Sequence, residues 1–162
     1  REFANQGKSN IAIVAECQSK GRGRFNRKWI SKNGGLYISF LVKIENVEKA
    51  QLLTMIGSLS VYDAIRKIMP ARIKWPNVLY IDDKKLCGVL TETIISKESY
   101  AIVGIGLNIN QTSFDSVLNA TSLKLQTGEN YTLKDIAFQI IENFEKWFDS
   151  TFNSRSFLTF LC

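Results

Sequence analysis

Lys20-Gly21-Arg22-Gly23-Arg24-Phe25-Asn26-Arg27-Lys28-Trp29 is the stretch on which the reading of this chain turns. Lys20, Arg22, Arg24, Arg27, Lys28 and Lys32 place six cations within thirteen residues, with no acid between them. Gly21 and Gly23 let the backbone turn tightly and bring its N–H groups close to a bound group. Guanidinium forks suit carboxylates and phosphates, with which they make paired charge-assisted hydrogen bonds. Phe25 and Trp29 add flat apolar surface. The stretch by itself is compatible with a lid over a small anion, a track for nucleic acid, or a plain solvated loop.

The six cations of the loop equal the formal net charge of the whole chain, +6, so the positive field is local. The 162 residues suit one domain with a real core, and 45% apolar and 22% charged residues are ordinary globular values. Three scattered cysteines (Cys17, Cys87, Cys162) form no disulfide framework and no zinc spacing, which favours a reducing, cytoplasmic setting. The chain has no histidine, which excludes Ser-His and Cys-His nucleophilic catalysis within it. No apolar run reaches the length of a membrane span. Arg1 in place of Met and the apolar end Phe157-Leu158-Thr159-Phe160-Leu161-Cys162 suggest a domain over 1–162 that is incomplete at both ends.

Working outward, residues 10–16 read as a buried strand that delivers the chain into the basic loop, and residues 36–44 as a second strand. Leu52, Met55, Ile56, Leu59, Tyr62, Ile65 and Met69 predict a helix from about Val47 to Met69, closed by Pro70. Strands follow at 72–75, 78–81, 86–95 and 100–109, with Asp82-Asp83-Lys84 as a hairpin turn. Thr132 and Asp135 open a final helix to about Phe148, its stripe formed by Ile136, Ile140, Ile141, Phe144 and Phe148. The pattern predicts an α+β fold, a mixed β-sheet flanked by helices.

Three further segments accompany the basic loop. Lys74-Trp75-Pro76-Asn77 reads as an aromatic wall with a rigid edge, or as core packing of Trp75 with Pro76 ending the strand. Lys84-Lys85-Leu86-Cys87-Gly88-Val89-Leu90-Thr91-Glu92 puts a lysine at the mouth of an apolar strand, suited to phosphate or to a developing acyl-phosphate, or simply exposed in a turn. Gly104-Ile105-Gly106-Leu107-Asn108 lacks the third glycine and the helix of a dinucleotide fingerprint; Asn108 there either presents an amide to a nucleotide or serves a turn.

Taken in order over residues 10–110, these segments resemble the biotin protein ligases. Gln18 with Gly21-Arg22-Gly23-Arg24 and Arg27-Lys28-Trp29 is similar to that family's biotin- and adenylate-binding loop. Lys74-Trp75-Pro76-Asn77 resembles its nucleotide-side motif, Lys85-Leu86-Cys87-Gly88 the segment of its essential lysine, and Gly106-Leu107-Asn108 its late glycine-asparagine motif. The resemblance implies the family's catalytic-domain fold and ATP-dependent formation of biotinyl-AMP. Transfer to a lysine of the biotin carboxyl-carrier protein of acetyl-CoA carboxylase or a related carboxylase would follow. It implies Lys85 and Arg24 as catalytic residues, with Gln18, Arg22, Gly23, Arg24, Lys85 and Gly88 holding biotin. Arg27, Lys28, Trp29, Asn77 and Asn108 would seat the nucleotide. Mg2+ would accompany ATP, with no metal ligand assigned in the protein. The implied partner is the carrier protein, neither a membrane nor nucleic acid, and a homodimer stays open.

Four features depart from the family pattern. Residues 1–9 lack the Ser-Thr-Asn motif, Val78 stands where an aspartate is usual, Phe25-Asn26 replaces basic or glycine residues, and the usual small C-terminal β-domain is missing. The rival readings are a lipoate-type ligase, a degenerate non-catalytic member, and a single-stranded nucleic-acid binder. The lipoate ligases' Arg-rich, histidine-containing motif is not found in this chain.

Overall fold

The computed structural model describes residues 1–95, 97–152 and 159–161, the last three as backbone only. Its elements are α1 (Glu2–Asn5), β1 (Ile11–Ala15), β2 (Gly35–Ile44), α2 (Ala50–Ile65), β3 (Arg72–Lys74), β4 (Val78–Ile81), β5 (Lys84–Ile95), β6 (Ser99–Asn108), α3 (Leu123–Thr127), α4 (Leu133–Phe152) and β7 (Thr159–Leu161). The strands form one sheet in the order β3-β4-β5-β6-β2-β1-β7. All described neighbours run antiparallel except β1 and β7, whose parallel pairing makes the sheet mixed. The α+β expectation therefore holds. Of the apolar end, Thr159–Leu161 forms β7, a strand the alternation did not announce; Phe157, Leu158 and Cys162 lie outside the described residues.

Alternation divides the sheet into two unlike faces. Leu36, Ile38, Phe40 and Val42 of β2 and Val103, Ile105 and Leu107 of β6 point to the back, where α2 and α4 cover them. The rings of Phe40 and Phe144 stack there at 3.8 Å between centroids. The predicted stripe of α4 holds: Ile136, Ile140, Ile141, Phe144 and Phe148 are all buried, and the helix continues to Phe152.

The predicted stripe of α2 needs correcting. The helix ends at Ile65 and is preceded by a 3-10 turn at Val47–Lys49, so Met69 lies beyond it. Leu52 is exposed, whereas Leu53, Ile56, Gly57, Ser58, Ser60, Val61, Ala64 and Ile65 are buried. The reason is position: α2 packs on β5 and β6 and also on α4, so more than one stripe is covered. Gly57 permits the close approach, since a Cβ there would lie 3.0 Å from Val89 Cγ1 and 3.2 Å from Val103 Cγ1.

The front face carries a small second core, Ala4, Ile11, Leu41 and Tyr100, at the end of the sheet nearest α1. The other end of that face is floored by glycines and covered by the basic loop. The hairpin between β4 and β5 turns at Asp82 and Asp83, both with positive φ (45° and 60°), the conformation of a two-residue primed turn.

Candidate functional site

A groove of about 920 Å³ opens on the front face between the basic loop and the sheet. Its floor is a cross-strand glycine pair, Gly88 of β5 opposite Gly106 of β6. The Trp29 indole lies flat on that floor. A Cβ on Gly106 would meet Trp29 Nε1 and sit 2.5 Å from Cε2 and 2.8 Å from Cζ2; one on Gly88 would lie 3.0 Å from Cζ3. Only glycine leaves room for the ring at the first position. The buried indole N–H has no hydrogen-bond partner among the described residues, a deficit on the order of 1–3 kcal/mol that burial of the ring must offset.

Lys85 reaches this place through an irregularity that its sequence does not display. Opposite Leu79 and Tyr80 of β4 stand Cys87 and Lys85, so Leu86 is the extra residue of a β-bulge. Leu86 and Cys87 are both fully buried, whereas a regular strand would alternate. The bulge moves Lys85 to the face of Gly88, and its Nζ sits 4.7 Å from the Trp29 ring centroid, a cation–π contact. The backbone of Lys85 is clamped from the far side as well, its N–H donating to the Asn119 carbonyl and its own carbonyl accepting from Thr121 N–H, each at 2.9 Å. Burial lowers the Lys85 pKa from the ordinary lysine value, and the Arg27 guanidinium adds to the effect while Cys87 opposes it. Burial in the core pushes the Cys87 thiol up to about 12, which makes it an inert packing group.

The basic loop is itself folded. Bridges join Gln18 to Ser31 and Arg22 to Lys28, Gly23 N–H donates to the Arg27 carbonyl at 2.7 Å, and Trp29 N–H to the Gly21 carbonyl at 3.0 Å. Gly21 is needed for this, since a Cβ would press on the Trp29 carbonyl and on Ser31 Oγ at 2.6 Å. The tip turns through Phe25 and Asn26, both with φ above +50°. Asparagine accepts that conformation; phenylalanine is uncommon in it. Phe25 is 82% exposed and stands 5.0 Å from the Arg24 guanidinium.

The structure brings all eleven candidate residues to one groove. Lys85, Gly88, Trp29, Gln18, Arg22, Gly23, Arg24, Arg27, Lys28, Asn77 and Asn108 all line it. Two asparagine amides already have internal partners. Asn77 Nδ2 donates to the Val89 carbonyl (3.2 Å), and its Oδ1 accepts from Arg24 (3.2 Å). Buried Asn108 donates to the Thr121 carbonyl (3.0 Å) and accepts from Gln111 Nε2 (3.3 Å). Gln18 Oε1 accepts from Ser31 Oγ at 2.7 Å. Trp75 is not core: it is 52% exposed at the groove's rim, joined to Pro76 by a cis peptide bond. Val78 faces the groove, half-buried opposite Gly88. Sequence reasoning gave no role to Glu92, at the end of the Lys84–Glu92 segment, nor to Gln111 and Tyr37. Tyr37 donates to the Lys32 carbonyl at 2.7 Å and so fixes the far hinge of the loop. Among the described residues no His, Cys, Asp and Glu side chains gather in a group of three, and no helix is long and apolar enough to cross a membrane.

The model of the Biotin/lipoate A/B protein ligase family matches residues 1–110. The chloroplastic biotin–protein ligase 1 of Arabidopsis thaliana is 35% identical over 84% of this chain and 40% of its own length. The bifunctional ligase/repressor BirA of Bacillus spizizenii is 34% identical over 88% of this chain and 47% of its own. The structure of the biotin protein ligase from Aquifex aeolicus in complex with biotin and ATP superposes with a TM-score of 0.79, at 38% identity. That superposition covers 91% of this chain and 64% of the other. The chain thus spans less than half the length of these two curated relatives.

Proposed function

The chain belongs to the biotin/lipoate A/B protein ligase family, and from that premise we propose that it activates biotin with ATP and passes it to a lysine of a biotin carrier protein. The observation that supports this reading best is the position of Lys85. The bulge and the backbone clamp hold an ammonium over a glycine-floored groove, under a loop rich in guanidinium groups.

A carboxylate and a triphosphate repel one another, and bringing them together requires fixed positive charge at the point of encounter. The biotin carboxylate oxygen would attack the α-phosphorus; the bond to the β-phosphate breaks and pyrophosphate departs. Lys85 is placed to hold both anions as negative charge shifts towards the leaving group. Arg24, Arg27 and Lys28 face the same groove and would screen the phosphates. The carrier lysine's amine would then attack the anhydride carbonyl, releasing AMP and a proton. Gly23 would keep loop backbone close to the ligand space and Gly88 would border it through the Trp29 ring and Lys85 that lie against it, while Asn77 and Asn108 would hold the walls of the groove. Gln18, hydrogen-bonded to Ser31 at the loop's entrance, would border the biotin end. Mg2+ would enter with the ATP phosphates, since the described residues offer no carboxylate cluster to retain it. Residues 1–162 would serve as the catalytic domain, and the carrier is proposed to be that of acetyl-CoA carboxylase or a related carboxylase.

The test is biotin-dependent pyrophosphate release. Lys85→Ala is expected to lower it by at least about a hundredfold, the scale of losing one preorganised electrostatic group, with a thermal midpoint close to that of the parent. Unchanged release would remove Lys85 from the chemistry.

A further inference from the structure

Glu92 is an unexpected residue in an anion-binding groove. It lies on the front face of β5, in the row of Gly88 and Leu90, and its carboxylate lines the space beneath the basic loop. A carboxylate there opposes an incoming phosphate unless it is neutralised. Its partner is Arg22, whose Nη2 donates to Glu92 Oε2 at 2.7 Å; Arg1 makes a longer contact with Oε1 at 3.4 Å. The two sides differ in freedom. Glu92 is fixed to a central strand with its side chain only 25% exposed, whereas the side chain of Arg22 is 59% exposed on the loop.

The loop lies lengthwise above β5. Arg22 is held at Glu92, and seven residues later Trp29 is held at Gly88, while Arg24 reaches sideways to Asn77. We infer that Glu92 is a positioning residue: a latch on the strand that carries Lys85, which fixes the register of the basic loop by neutralising and orienting Arg22. Arg22 is thereby an anchor rather than a free ligand cation, and Arg24, Arg27 and Lys28 remain to meet the anion. The latch is a property of the fold; its effect on adenylation rests on the function proposed above.

The decisive measurement is amide hydrogen exchange in the ligand-free protein, which needs no turnover. Glu92→Gln and Arg22→Gln should each speed exchange across residues 21–29 about fivefold, the scale of one partly exposed charge pair. The double variant should add little to either single one. If Glu92→Gln loosens the whole sheet, Arg22→Gln, on the exposed partner, decides alone. Unchanged exchange in Arg22→Gln, or full additivity in the double variant, overturns the latch. In pyrophosphate release the latch predicts a fall in kcat with no rise in KM for ATP, because Glu92→Gln removes a negative charge from the groove. The swapped pair Glu92→Arg with Arg22→Glu should recover at least part of the lost kcat. Recovery absent, or a raised KM with kcat intact, rejects the positioning role. A parent protein without pyrophosphate release would count against the ligase reading and leave the exchange result standing.

Discussion

At the scale of the residue, Lys85 shows how burial and charge set chemistry. Its pKa is lowered chiefly by burial, so the folded state binds the proton less tightly than the unfolded chain. In the window between its lowered folded value and the ordinary 10.5, the unfolded state carries more protons, and this group's contribution to stability rises with pH. In the proposed reaction the useful form of Lys85 would be the cation, lost as pH rises through the folded pKa, so activity is expected to run the other way. Pyrophosphate release should therefore fall on the alkaline side before an ordinary lysine would titrate. Lys85→Arg, charged at any working pH, should remove that limb whatever its rate; an identical alkaline limb in that variant would assign it elsewhere. Val78 poses a separate question. It faces the groove opposite Gly88 and pairs with Lys74 of β3, so Val78→Asp places the new charge beside a cation rather than in the core. Stability should change by less than about 1 kcal/mol, and ATP affinity should rise in a Mg2+-dependent way. Thermal melts beside ATP titrations with and without Mg2+ would check both; a stable variant with unaltered affinity would deny Val78 any part in nucleotide handling.

At the scale of the element, the loop from Lys20 to Trp29 and the floor of β5 and β6 form one device. Gly88 and Gly106, opposite one another across β5 and β6, make the bed of Trp29. Gly106→Ala should lift the indole from that bed at a cost of about 1–3 kcal/mol, the usual range for overpacking. Gly88→Ala, whose Cβ would clear the ring by more, should cost less. Urea midpoints and the tryptophan emission maximum would register both, and equal costs at the two positions would contradict the geometry. Much of this device was legible in the residues: the clustered cations, Gly23, Gly88, Lys74, Trp75 and Asn77 all come to one groove. The bulge at Leu86 was not, because a one-residue shift in pairing depends on the neighbouring strand. The Arg22–Glu92 pair was hidden for a similar reason: seventy residues separate its members, and neither charge is unusual where it stands. The internal partners of Asn77 and Asn108 are likewise fixed by loops that local spacing does not reveal.

At the scale of the molecule, the sheet keeps its large core and the groove on opposite sides. Back-facing residues of β2, β5 and β6 enter a core with α2 and α4; of the residues between them, those near Gly88 and Gly106 meet the groove and those near Leu41 and Tyr100 the small second core. The amphipathic stripe of α4 could be read directly, since its outer side is wet. The burial of α2 could not be assigned to one stripe, because a helix between a sheet and another helix has little periodic contrast to display. This division predicts that back-face damage and front-face damage are separable. Phe144→Ala removes the ring stacked on Phe40 at 3.8 Å and should cost about 3–5 kcal/mol of global stability, the range for a buried phenylalanine. A loss of that size is a large part of the 5–15 kcal/mol typical of a domain, so the comparison belongs at low temperature, where the variant remains folded. There its KM for biotin and ATP should match the parent's, as the groove residues sit on the other side of an intact sheet. Lys85→Ala should show the inverse pattern, a parent-like denaturation midpoint with lost turnover. A folded Phe144→Ala with a tenfold change in KM would mean that α4 packing reaches through the strands to set the groove, and the two faces would have to be treated as one coupled unit.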